Sequence, residues 1–265
     1  MEFYTKIAKY GNYNLIANEL ISNTINKYGA FSPMEIDFLM TILKKNDVVI
    51  ELGSHIGSHT IPIAKKIENG MLIAFEPQRL VFQVLCSNLI LNNLKNVYTY
   101  NYGIGKSNID LCTETCESDT GGLSLTTLKE TNKLENMIKV RKISEFPEIN
   151  NLQRLDLLFM DVERMEFDVL SEFDCLIKKF LPNIFVEIYI DTFVCVRDLL
   201  KKYGYKVYQF IPNNSQYEPD VKTLLFDMPM LFATHPTKNY INSIGLIDVS
   251  DADNLDCSSI MLYTK

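Results

Sequence analysis

DVVIELGSHIGSHTIPIA, residues Asp47 to Ala64, followed by MLIAFE, Met71 to Glu76, decides the fold. Asp47 to Leu52 is a short, nearly all-apolar run with an acid near its end, the pattern of a strand buried on both faces of a parallel sheet. A helix follows from Ile56 to Ile67, with Pro62 tolerable only near its first turn. Glu68-Asn69-Gly70 turns the chain, and Met71 to Phe75 is a second strand ending at Glu76. Leu80 to Asn92 has helical spacing and Val97 to Tyr100 supplies a third strand. The stretch from Gly103 to Pro147 is polar and irregular, with Gly121-Gly122 marking a tight backbone site. Alternation then resumes with strand Leu155 to Met160, helix Phe167 to Phe180, strand Asn183 to Ile188, helix Thr192 to Tyr203 capped by Gly204, and strand Tyr205 to Phe210. Met230 to Thr234 and Ile260 to Tyr263 read as the last strands. Such regular alternation predicts an α/β fold with a doubly wound, mainly parallel sheet. Upstream, Leu15 to Asn26 and a segment opening at Ser32-Pro33 read as two lead-in helices, so residues 1–30 are expected to be an N-terminal helical extension of a domain spanning 31–265.

Composition narrows the function. With 47% apolar and 22% charged residues over 265 positions the chain is globular, and no apolar stretch approaches the roughly 20 residues that span a bilayer. The N-terminus has no basic segment leading into an apolar run, so the expectation is a soluble, cytoplasmic protein. A net charge of −7 argues against a general affinity for nucleic acid, which needs clustered Lys and Arg. The six cysteines are scattered and read as reduced. Cys112 and Cys116 lack the partners of a zinc site. His55 and His59, four apart, join Asp161 as three residues of metal-binding type, but two histidines are not a site, and no metal is expected.

In an open parallel sheet, ligands bind beyond the carboxyl ends of the strands. Glu51, Glu76, Asn101, Asp161, Glu163 and Glu187 all fall at such ends, an arrangement that makes a negatively charged cleft suited to a cationic ligand. The loop after the first strand, Gly53-Ser54-His55-Ile56-Gly57, has two glycines separated by three residues, where a dinucleotide fingerprint needs G-x-G-x-x-G. Glycine there lets backbone approach a ligand, and Glu76, 23 positions after Gly53, can accept hydrogen bonds from both hydroxyls of a ribose. Together these residues describe an adenosine site.

DVVIELGSHIGSHTIPIA, AFEPQRLVFQVLCSNLILNNL and MDVERMEFDVL, with GGLSL and FVEIYID in the expected order, resemble the motifs of the FkbM-type methyltransferases from about Phe31 to Tyr208. The resemblance implies a seven-stranded class I methyltransferase sheet of Rossmann-like type, S-adenosylmethionine as cofactor, and a small-molecule or glycan acceptor methylated at a hydroxyl, often on a sugar. On that reading Glu51, Gly53, Ser54, His55, Gly57, Thr60, Glu76, Pro77, Asn101 and Asp161 bind the cofactor. The sequence departs from the family at Glu51, where Asp is usual, at His55, where Asn is usual, and at Met160 and Arg164, where Lys and Gly are usual. Glycine at 164 suggests close backbone approach; a guanidinium there could bind a carboxylate or phosphate instead.

Methyl transfer from a sulfonium draws most of its acceleration from alignment and desolvation of the reactants. A neutral hydroxyl must also lose a proton, so a general base helps. Asp161 and Glu163 are the candidate bases; a cofactor contact for Asp161 and a loop-shaping role for Glu163 are the alternatives. Glu166, at a helix start, reads as structural. His55 is expected at the cofactor's edge, His59 in a core or solvent contact. The rival functional class is a catalytically impaired module of the same fold that acts by partner binding, and a nicotinamide-dependent oxidoreductase is disfavoured by the missing third glycine.

Overall fold

The computed structural model describes residues 2–112, 137–211, 229–238 and 245–255. The chain opens with an antiparallel hairpin, β1 (Phe3–Ile7) and β2 (Asn12–Ile16), then helices α1 (Leu20–Tyr28) and α2 (Pro33–Ile42). Strands β3 (Val48–Leu52), β4 (Met71–Phe75) and β5 (Val97–Tyr100) alternate with α3 (Thr60–Lys66) and α4 (Arg79–Leu91). A small sheet of β6 (Gly103–Ile104), β7 (Ile109–Cys112) and β8 (Met137–Arg141) and a short helix α5 (Pro147–Asn150) follow. The chain continues through β9 (Leu157–Met160), α6 (Glu166–Glu172), α7 (Asp174–Phe180), β10 (Asn183–Glu187), α8 (Phe193–Lys202), β11 (Lys206–Phe210), β12 (Met230–Thr234) and β13 (Leu246–Asp248).

Successive strand residues face opposite ways, and both faces of the main sheet are covered. Ile50, Leu52, Phe75, Leu158, Met160, Ile184 and Val186 pack with Val169, Leu170, Phe173, Val196 and Leu200 from α6 to α8. Val49, Leu72, Leu157, Phe159, Phe185 and Phe232 pack on the other face with Phe38 and Leu39 of α2 and Ile63 and Ala64 of α3. The sheet runs β13-β11-β12-β10-β9-β3-β4-β5. β10, β9, β3, β4 and β5 are mutually parallel, whereas β12 runs against β10 and β11, and β13 against β11. Strands after β3 build outward first to one side, then from β9 to the other, so a crevice opens at the carboxyl ends of β3 and β9.

Several sequence expectations are corrected. The sheet is mixed and eight-stranded among the described residues, not seven-stranded; β13, three residues long, is too short for any periodicity to announce it. The expected helix from Leu15 divides into β2, where Tyr13 and Leu15 are buried in alternation, and α1, which starts only at Leu20. Glu19 caps that start, its carboxylate accepting from the Ile21 and Ser22 N–H groups at 3.0 and 2.7 Å. Residues 1–30 are therefore a hairpin plus one helix rather than an all-helical extension. The hairpin is held by α4: Asn88 exchanges hydrogen bonds with the Asn14 backbone at 2.6 and 3.1 Å, and Asn92 with the Asn12 backbone at 3.0 and 2.6 Å. One helical turn apart, the two amides read alternate residues of a strand.

The helix expected at Ile56 begins at Thr60, because His55 and Gly57 occupy left-handed backbone (φ +47° and +94°) that a helix start cannot contain. Pro62, third in α3, falls where the N–H would have no intrahelical acceptor. The helix expected over Phe167 to Phe180 is two short helices meeting at Phe173. The stretch read as irregular holds the β6-β8-β7 sheet. Gly121-Gly122 and the GGLSL segment, Pro212 to Asn214, and the strand expected over Ile260 to Tyr263 lie outside the described residues. No helix among the described residues is long and apolar enough to cross a membrane.

Candidate active site

The site begins with a contact that only glycine permits. Gly53, directly after β3, has φ +84°, and a Cβ on it would lie 1.9 Å from the Asp161 carbonyl oxygen. Its N–H and that of Ser54 both donate to the Phe75 carbonyl at 3.0 Å, while Asp161 N–H donates to the Leu52 carbonyl at 3.0 Å. The ends of β3, β4 and β9 are thus stitched together around one loop. Gly57, at φ +94°, has a looser contact, the Leu85 side chain lying 3.0 Å from where its Cβ would be.

That loop aims its backbone at Glu76. His55 N–H donates to Glu76 Oε2 at 2.9 Å and Gln78 N–H to Oε1 at 2.8 Å, leaving each carboxylate oxygen a further acceptor position. Asn101 Nδ2 donates to the carbonyls of Glu76 and Pro77 at 2.8 and 3.0 Å and so pins the turn between β4 and α4. Burial pushes Glu76 up to about 7 against the lowering effect of its two N–H donors.

Glu76 lines an open cleft between the ends of the strands. Gly53, His55, Pro77, Asp161 and Glu163 line it as well, with apolar walls from Leu52, Phe75, Ile104 and Met165. Ile21 of α1 closes one side, and His55 Nε2 lies 3.8 Å from the buried Glu19 carboxylate, so the N-terminal segment packs over the cleft.

Asp161 and Glu163 bring further acids to the cleft, and the charge of Asp161 acts on Glu76. Burial, then the charge of Glu163, pushes Asp161 up to about 7. Burial, with the charges of Asp161 and Glu163, raises Glu187 well above the carboxylate range. Tyr189 donates its hydroxyl to Glu163. Arg164 is turned outward: its guanidinium pairs with Asp191 at 2.8 Å and stacks 4.2 Å from the centre of the Tyr189 ring. Its backbone has φ +72°, and that of Glu163 φ +48°. Position 164 thus adopts the left-handed conformation that favours glycine, and arginine is accommodated there at a strain cost of about 1–2 kcal/mol.

Behind the cleft, on the face that carries α2 and α3, Glu51 is 1% exposed and neither carboxylate oxygen has a partner in hydrogen-bond geometry. Burial pushes it up to about 7, with the nearby Thr60 and Ser54 hydroxyls and the charge of His59 working downward. His59 is not a solvent contact. It is buried, its Nε2 lies 3.2 Å from Glu35 and its ring packs on Phe159. Burial disfavours its charged form, but Glu35, Glu51 and Asp161 outweigh that and raise its pKa. Glu166, buried at the start of α6, accepts from the Arg164 N–H at 2.7 Å, a structural role.

Of the expected cofactor residues, Gly53, His55, Glu76, Pro77 and Asp161 line the cleft together with Glu163. Glu51, Ser54, Gly57, Thr60 and Asn101 do not; they shape the loops from outside it. Sequence reading missed Ile21, Gln78, Tyr102 and Met165, which also line the cleft. Apolar or neutral side chains carry no chemical signal of their own.

The model of the Methyltransferase FkbM domain matches residues 51–207, more than half of the chain. "Methyltransferase 1" of Beauveria bassiana (strain ARSEF 2860) is 26% identical over 179 residues, 60% of this chain and 72% of the relative. Among solved structures, Methyltransferase FkbM from Methylobacillus flagellatus KT matches with a TM-score of 0.49 at 15% identity, covering 72% of this chain but only 44% of that one. TYW2 of M. jannaschii, solved in complex with AdoMet, matches with a TM-score of 0.46 at 16% identity over 87% of this chain and 84% of that one. The chain belongs to the FkbM methyltransferase domain family, a family of S-adenosylmethionine-dependent methyltransferases.

Proposed function

We propose that the chain is an O-methyltransferase acting on a hydroxyl of a sugar, glycan or glycoconjugate, with Glu76 binding the cofactor's ribose and Asp161 or Glu163 serving the acceptor. The observation that carries the reading is the Glu76 carboxylate, held by one N–H on each oxygen at the wall of the cleft that Asp161 and Glu163 also line. The residues fit the cofactor: Gly53 keeps the loop free of a side chain, Glu76 offers two acceptor positions to a vicinal diol, and acids favour a sulfonium and an ammonium. When bound, S-adenosylmethionine supplies an electrophilic methyl group with a neutral thioether as leaving group. Asp161 and Glu163 hold the proton an acceptor hydroxyl must lose, and burial places Asp161 near neutrality, where a general base works best. The apolar walls exclude water from the reacting atoms.

Residues 31–265 form the methyltransferase domain on this reading, and residues 1–30 an extension covering the cleft through Ile21. Because Arg164 adopts the backbone conformation that glycine would, this departure from the family leaves the loop's shape intact, which favours an active enzyme over an impaired binding module. The test is transfer of radiolabelled methyl to a panel of sugars and glycosides, with matched amines and thiols as controls. Transfer to a hydroxyl that Asp161→Asn and Glu163→Gln jointly abolish supports the proposal; transfer only to amines would refute its acceptor.

A further inference from the structure

We propose that Asp161, Glu163 and Glu187 form a binding site for one divalent cation of the hard, oxygen-preferring class, Mg²⁺, Mn²⁺ or Ca²⁺, at the acceptor end of the cleft. Spacing in the sequence offered only His55 and His59 with Asp161, whereas the fold brings in Glu187 from the neighbouring strand, since β9 and β10 pair in parallel with Val186 opposite Met160. One carboxylate oxygen from each of the three acids lies within 4.8 Å of the other two. Two oxygens bound at about 2.1–2.5 Å to a common ion are at most about 4–5 Å apart, so little movement completes the set.

A cluster of acids can be merely repulsive, and a separate observation argues for a cation. Glu51 is 1% exposed and both its oxygens are without a hydrogen-bond partner. It lies opposite Phe159 in the β3–β9 pair, two residues before Asp161, and the charges of both acids act on His59. Glu187 Oε2 is likewise closed from solvent without a partner. Nearby bases are committed elsewhere: Arg164 to Asp191, and His59 to Glu35. Several carboxylates in one low-dielectric region facing one imidazole leave negative charge that a dication offsets far better than a monovalent cofactor does.

Asp161 and Glu163 line the cleft, so an ion on them keeps coordination positions open towards the acceptor. There it would bind the acceptor hydroxyl as a Lewis acid and lower its pKa, so that the proton can pass to solvent at the open cleft. This role rests on the methyltransferase reading; the binding itself does not.

The experiment is a terbium titration. The chain has 14 tyrosines and no tryptophan, and Tyr189 donates to Glu163, so Tb³⁺ on the cluster is excited through Tyr189. The expected result is saturable emission from one ion, displaced by Mn²⁺ or Mg²⁺, with affinity reduced about tenfold or more in both Glu187→Gln and Glu163→Gln. Tyr189→Phe should keep the ion but lose most of the emission. Thermal melts in chelator check that the Gln variants fold; either one that folds carries the test. Absence of saturable emission, wild-type affinity in the Gln variants, or displacement by S-adenosylmethionine but not by Mn²⁺ would overturn the inference, the last because the cluster then holds the cofactor's own cation. Calorimetry with S-adenosylhomocysteine in chelator separates the two claims. Cofactor binding without an ion defeats only the metal, and an ion without cofactor binding defeats only the methyltransferase reading.

Discussion

The buried acids should make the ligand-free protein less stable as pH rises towards neutrality, the reverse of ordinary acid denaturation. Glu51, Glu76 and Asp161 are each pushed up to about 7 by burial, while in the unfolded chain they titrate near 4. Between these values the folded protein holds protons that the unfolded chain has lost, so stability falls with pH through the window from about 4.5 to 7 and levels off above it. His59 acts in the same direction, because a histidine whose folded pKa is raised contributes stability that disappears as pH passes that value. For Glu51 alone, 1% exposed, the rise from 4.5 to about 7 corresponds to roughly 3 kcal/mol at 1.36 kcal/mol per unit. At roughly 2–4 °C per kcal/mol for a chain of about this size, removing that share is worth on the order of 6–12 °C. The assay is thermal unfolding from pH 5 to 8 in chelator, comparing wild type with Glu51→Gln. Wild-type Tm should fall across the window and the variant's should fall less. A wild-type Tm that rises from pH 5.5 to 7.5, or an unchanged slope in Glu51→Gln, would refute the reasoning.

Three further substitutions probe the same architecture. Gly53→Ala places a Cβ 1.9 Å from the Asp161 carbonyl in left-handed backbone, so chemical denaturation should show a loss of more than about 2 kcal/mol together with loss of cofactor binding. Arg164→Gly relieves strain at φ +72° and gives up a largely exposed ion pair with Asp191; its unfolding free energy should stay within about 1 kcal/mol of wild type and its S-adenosylhomocysteine affinity should be unchanged, whereas a tenfold loss of affinity would mean the guanidinium contributes to the site. Asn101→Ala frees the carbonyls of Glu76 and Pro77 without touching the cleft, and calorimetry should find affinity lowered by about tenfold, the equivalent of one hydrogen bond's net worth.

What could be read in the sequence was whatever is written in local periodicity. DVVIEL, MLIAF and LLFM are apolar because both their faces are covered, and all three are parallel strands. Gly53 and Glu76 could be assigned to one ligand because their conformational and chemical requirements are residue-specific. The N-terminal segment was misread because Ile16, which ends a strand, stands four residues before Leu20, which begins a helix; that spacing imitates one helical face. Asn88 and Asn92 gave no sign of holding a hairpin, since their partners are backbone atoms 74 and 80 residues away. The same holds for His59, whose neighbours Glu35, Glu51 and Asp161 come from three separate elements, and for Glu187, whose grouping with Asp161 depends on strand order. Glu51, Ser54, Thr60 and Asn101 belong to the right motifs but act one layer behind the cleft, a distinction that spacing does not encode.

Calorimetric titration with S-adenosylhomocysteine, of wild type and of Glu76→Ala, bears most directly on the claim that Glu76 holds the cofactor. Two charge-assisted hydrogen bonds to a vicinal diol, at about 1.5–3 kcal/mol each, amount to at least a hundredfold in affinity. The account predicts micromolar binding by wild type, on the order of −8 kcal/mol, and a loss of about a hundredfold or more in the variant, with Glu76→Gln as the check that retains the side chain's shape. No binding by folded wild type, or equal binding by Glu76→Ala, would contradict it.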